Sequence, residues 1–145
     1  MIFKPHQHAD NRKRSAVALI KLLLKNTTPE ILPAHLRELL DKMLWKITEA
    51  DGKYNTRYRS ESALHCNDNK LLAHEHVYPK EKMITALIDA KSEEEIDRIV
   101  AVAVGCTVTR PDHSQLHKVD NEDGWNRYRK AGIVVMNIET GERVI

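Results

Sequence analysis

Six apolar side chains, Leu36, Leu39, Leu40, Met43, Leu44 and Ile47, recur at three- and four-residue intervals. That period belongs to a helix with one apolar face, and such a face must be buried against something. Upstream, Val17, Ile20, Leu23 and Leu24 predict a second helix, from near Asn11 to Lys25. Asn26-Thr27-Thr28-Pro29 breaks the two apart, with Thr28 as a cap and Pro29 in the first turn of the next segment. Leu32-Pro33 marks a short turn before the main part, His35 to Ile47, of a helix that runs to about Thr48. The pattern predicts an antiparallel helical hairpin, preceded by poorly ordered residues 1–10.

Beyond residue 50 the period changes. Asp51-Gly52 is a turn signal. Tyr54 to Ser60 and Leu71 to Tyr78 read as strands around a polar loop at 65–70, and Cys106 to Thr109 as a short β-branched strand. Ile133 to Ile145 reads as a hairpin turning at Glu139-Thr140-Gly141. Helices are predicted over 80–90, from the Ser92/Glu95 capping pair to about Val104, after the Thr109/Asp112 pair, and over Gly124–Lys130. Trp125 and Tyr128 would dock the last of these on the core, and Trp45 reads as a core residue. The fold class is α+β: an N-terminal helical hairpin followed by a small antiparallel sheet with short flanking helices. Residues 1–145 form one domain, with 1–50 as a helical arm and 51–145 as the α+β core.

Composition narrows the function. No apolar run approaches the length of a membrane-spanning helix, so no membrane partner is expected. The N-terminus lacks an apolar leader core, and Cys66 and Cys106 are too few for a disulfide framework, so a reducing cytoplasm is the expected setting. Aromatic residues are 5% of the chain, with a single Phe, which is thin material for a base-stacking platform. No glycine-rich phosphate loop is present. Charge is uneven: residues 1–60 carry 12 Lys/Arg against 6 Asp/Glu, whereas the remainder is net acidic. The basic part predicts contact with a polyanion through Arg12, Lys13, Arg14, Lys53, Arg57 and Arg59. The apolar N-terminal helices are also a candidate homodimer surface.

Four of the eight histidines fall in two groups. In Ala73-His74-Glu75-His76-Val77-Tyr78-Pro79, strand alternation puts His74 and His76 on one face and turns Glu75 away. On the helix after Thr109, His113 and His117 share a face one turn apart. A strand bearing Glu-His-Val-x-Pro, followed by a short strand and a capped helix bearing His, resembles the HNH, or ββα-metal, endonuclease motif over residues 71–118. The resemblance implies a small metal-dependent nuclease acting on DNA or RNA, in phage biology or defence against phage. By it, His76 is the general base, and His74 or Glu75 together with His113 holds a divalent ion (Mg2+, Mn2+ or Zn2+). Arg110 would steady the phosphate. Gly105-Cys106 stands where the family's middle Asn is expected, and paired CxxC motifs are absent. The alternative is a non-enzymatic module that binds nucleic acid or protein, such as a phage-encoded inhibitor, in which the histidines are structural.

Overall fold

The computed structural model describes residues 2–119 and 121–145. Two long helices, α1 (Ala9–Lys25) and α2 (Pro33–Thr48), open the chain. There follow β1 (Tyr58–Ser60), a single helical turn α3 (Glu61–Leu64), a 3-10 turn at Asn69–Leu71, and β2 (Leu72–His76). Helices α4 (Lys80–Asp89) and α5 (Glu93–Val100) lead to β3 (Gly105–Thr109), which runs directly into α6 (Arg110–His117). Helix α7 (Gly124–Lys130) and the strands β4 (Val135–Asn137) and β5 (Glu142–Arg143) complete the chain. The protein is thus an α+β fold with a helical N-terminus.

The apolar stripes read from the sequence become one core. Ile20 of α1 and Leu36, Leu40 and Leu44 of α2 are buried with Met83, Ile84 and Leu87 of α4 and Ile96 of α5. The helical pair therefore shares its interior with the later helices rather than standing off as an arm. Its outer side leaves Leu19, Leu22 and Leu39 exposed. A second core holds Val77, Cys106, Val108, Leu116, Tyr128, Ile133 and Val135 between the sheet and the pair α6 and α7. Trp125 packs between Tyr58 and Tyr128, the anchoring role that its spacing predicts.

The sheet has the order β2-β3-β1-β4-β5. It is mixed, not wholly antiparallel, because β1 runs parallel to β3 while the other pairs are antiparallel. A parallel neighbour requires a long crossover, and the helices between β1 and β3 provide it.

Several boundaries shift for local reasons. Residues 2–8 are anchored: Phe3 is buried, the His6 amide donates to Asp51 at 2.8 Å, and the Asn55 side-chain amide donates to the Lys4 carbonyl at 2.7 Å. Expected disorder at Met1 lies outside the described residues. Thr28 closes a turn with Ile31 rather than capping a helix, and Pro33 takes the first helical position of α2. The hydroxyl of Ser92 accepts from the Glu95 amide as its pairing predicts, but α5 ends at Val100, short of Val104. The strand expected from Tyr54 shortens to Tyr58–Ser60.

Gly105 is required by its neighbours. A Cβ there would lie 2.5 Å from Cε1 of His74 and 3.1 Å from the Thr48 carbonyl. Gly105→Ala is expected to lower stability by about 1–3 kcal/mol, the usual cost of overpacking. Urea unfolding checks this, and a variant as stable as the parent would contradict the close fit.

Candidate metal centre

Five residues of β2 pair antiparallel with β3, from Leu72 opposite Thr109 to His76 opposite Gly105. Alternation along β2 then decides what each side chain meets. His74 and His76 face α2, where Trp45 stands 5.2 Å and 4.5 Å from their ring centroids. Glu75 takes the opposite face, toward α6 and α7.

Helix α6 starts where β3 stops. The Thr109 hydroxyl accepts from the Asp112 amide, and the Asp112 carboxylate accepts from the Thr109 amide. That cap contributes about 1 kcal/mol. The same carboxylate accepts from Ser60 of β1 at 2.7 Å, which ties the helix start to the sheet. So fixed, α6 carries His113 and His117 over Glu75. Nδ1 of His113 contacts Oε1 of Glu75, and Nε2 of His117 lies 3.7 Å from the same oxygen. One potential donor atom from each residue falls within 4.8 Å of the other two.

The set expected from the sequence is therefore corrected. Glu75 and His113 come together as expected, and His117 is the third member. His74 does not join them, because strand alternation puts its ring on the other side of the sheet. The signal for His117 was its four-residue spacing from His113.

The donor chemistry fits a divalent ion. One carboxylate oxygen and two imidazole nitrogens suit Zn2+ and similar transition ions better than Mg2+, which favours oxygen ligands. Three protein donors would leave a fourth position of a tetrahedral ion for water or another ligand. The Glu75 side chain is 7% exposed, against 42% for His113 and 57% for His117, so the group opens to solvent on its histidine side. Oε2 of Glu75 lies 3.2 Å from Nη2 of the buried Arg127.

On the α2 face a hydrogen-bonded chain sets the proton positions. Nδ1 of His74 lies 2.7 Å from the Lys53 carbonyl, which can only accept, so Nδ1 carries the proton. Nε2 of His74 then accepts from the Thr48 hydroxyl at 3.1 Å. The Thr48 oxygen in turn accepts from Nε2 of His76 at 3.4 Å. This leaves Nδ1 of His76 as a bare lone pair, buried and without a partner among the described residues. Burial pushes His74 from 6.5 down to about 4, against the opposing hydrogen bond to the Lys53 carbonyl, and pushes His76 to about 3, with the neighbouring His74 and then Lys80 adding to it.

His76, Glu75, His113 and His117 all border one cleft of about 630 Å3. Its cations are Lys80, Lys82 and Arg127, with Glu81 beside them; Lys82 pairs with Asp123 at 2.5 Å and Arg127 with Glu75. Lys80 sits over Trp45 and pairs with Asp41 at 2.7 Å. Trp45 is half-buried at the cleft wall, not fully in the core.

The cations singled out in the sequence lie elsewhere. Arg12 donates to the Ala50 carbonyl, Lys13 is 3.9 Å from Asp51, and Arg14 donates to Asn11. Lys53 rests over Tyr54, Arg57 pairs with Glu139, and Arg110 donates to the Lys70 carbonyl. Arg59 is buried, donating to the Tyr54 and Ala63 carbonyls, so it is not a surface contact for phosphate. No local pattern marked Lys80, Lys82 or Arg127, because their partners are distant in sequence.

Comparisons with protein-family models, with curated proteins and with solved structures gave no match. Among the described residues no helix is long and apolar enough to cross a membrane.

The buried imidazoles give a signed pH dependence. A histidine whose folded value lies below its unfolded 6.5 binds fewer protons in the native state. Its stabilising share is complete above 6.5 and is lost as the pH falls through the folded values. Stability is expected to drop between pH 6.5 and about 3, less steeply in His76→Phe. Urea unfolding at successive pH values tests this, and a flat profile over that window is the contrary result.

Proposed function

We propose that the protein is a small metal-dependent nuclease of HNH-like type, hydrolysing phosphodiester bonds in DNA or RNA. The observation that carries this reading is the convergence of Glu75, His113 and His117 beside His76 in one cleft with Lys80, Lys82 and Arg127. Glu75, His113 and His117 would hold the ion, with Zn2+ the better match to two nitrogens and an oxygen. When bound, the ion neutralises charge on a phosphoryl oxygen and lowers the pKa of water. His76 is the proton acceptor of this reading through the Nδ1 that the Thr48 contact leaves free; because burial holds His76 down at about 3, proton uptake requires that nitrogen to open to water from the cleft. Lys80 and Lys82 at the cleft wall are the cations within reach of a polyanion, which would have to compete with their partners Asp41 and Asp123.

The same two features of His76 also support the reading as a non-enzymatic binding module. Nε2 of His76 is engaged by Thr48 and Nδ1 is buried, as in a structural histidine.

One assay separates the two. Plasmid DNA and RNA are incubated with the protein and Mg2+, Mn2+ or Zn2+, then with EDTA. Cleavage is expected with metal and not with EDTA. Glu75→Gln and His113→Ala are expected to weaken metal binding. His76→Ala is expected to slow cleavage by about 10²–10⁴-fold while leaving metal affinity unchanged. Cleavage that survives both EDTA and His76→Ala overturns the proposal, and nucleic-acid binding without cleavage favours the module.

A further inference from the structure

Arg127 of α7 is 4% exposed, yet each nitrogen of its guanidinium makes a hydrogen bond. Nη2 lies 3.2 Å from Oε2 of Glu75, Nη1 lies 3.3 Å from the His76 carbonyl, and Nε lies 3.4 Å from the Leu116 carbonyl. The three acceptors are the ligand carboxylate, the end of β2, and the stretch of α6 between His113 and His117. A single ion pair with Glu75 would need none of the backbone contacts. Only the planar fork of arginine reaches all three, whereas a lysine ammonium is one compact charge.

We propose that Arg127 is a positioning residue of the metal centre. It occupies Oε2 of Glu75, so Oε1 alone faces the two histidines, and it fixes β2 and α6 at the spacing the ion needs. The proposal rests on the metal-binding reading of Glu75, His113 and His117. A carboxylate with both oxygens free can grip an ion through two atoms. One held by a guanidinium is restricted to one, and an open coordination position is preserved. The orientation of the histidines depends on the same residue, since the Leu116 carbonyl lies within the helical turn that separates them.

The test uses the full-length chain, stripped of metal and titrated with Co2+, whose visible absorption reports coordination number. Wild type, Arg127→Gln and Arg127→Lys are compared, with thermal melting followed in parallel. Arg127→Gln is expected to weaken Co2+ binding by roughly 10- to 100-fold, the usual effect of losing a partner behind a metal ligand. Its spectrum is expected to shift toward higher coordination number as Glu75 becomes bidentate. Arg127→Lys keeps the buried charge and is expected to recover stability without recovering the wild-type spectrum. If Arg127→Gln does not fold, Arg127→Lys decides the matter. Wild-type affinity and spectrum in the folded variants, whatever their melting temperatures, would reduce Arg127 to a packing residue and overturn the proposal. If wild type itself binds no Co2+, the metal-centre reading fails and takes this one with it.

Discussion

Antiparallel pairing of β2 with β3 is the constraint on which the candidate site depends. The pairing sets Leu72 opposite Thr109, and α6 leaves the sheet at Thr109. Glu75 is three residues along β2 from that point, about 10 Å at the rise of a strand. His113 and His117 stand four and eight residues beyond Thr109, about 6 Å and 12 Å along a helix. The helix therefore carries its two histidines across the same span of sheet that Glu75 occupies. The mutual cap of Thr109 and Asp112, with Ser60 on the same carboxylate, fixes the direction in which it leaves. A shift of one residue in this pairing would turn Glu75 to the α2 face and leave the histidines of α6 without their carboxylate.

The pleat also divides the chemistry. One face of β2 carries a carboxylate paired with a buried guanidinium beneath two solvent-facing imidazoles. The other carries two buried imidazoles against Trp45 and Thr48, with no carboxylate bonded to them among the described residues. The first could hold a cation through one carboxylate oxygen and two imidazole nitrogens, with Arg127 already balancing the carboxylate's charge. The second keeps rings uncharged. Gly105 makes the second possible, since any side chain there would overlap His74.

What the sequence could disclose follows the range of the interactions involved. The stripes of α1 and α2, the Ser92 and Thr109 caps and the turn at Gly141 are local, and each was legible from spacing. Alternation placed His74 and His76 together and Glu75 apart, as found. Yet the family pattern left His74 open as a ligand, where geometry brings His117 instead. The parallel alignment of β1 and β3 was not legible, because it depends on a crossover of more than forty residues. Arg127 gave no signal, since Glu75 lies 52 positions away. Phe3 and Arg59 mislead for the same reason: a lone apolar residue near a terminus and a basic residue on a short strand look exposed until their distant partners are known. The basic composition of the first 60 residues did not locate the cations of the cleft, which come from α4 and α7.

The insertion of α4 and α5 between β2 and β3 has a consequence for how the chain acquires its properties. Glu75 emerges during synthesis well before His113, and Arg127 later still. A nascent chain that has completed the helical layer and β2 therefore possesses the enclosed histidines but not the ligand set. The candidate ligand set is complete only once β3 has paired with β2 and α6 has packed over Glu75.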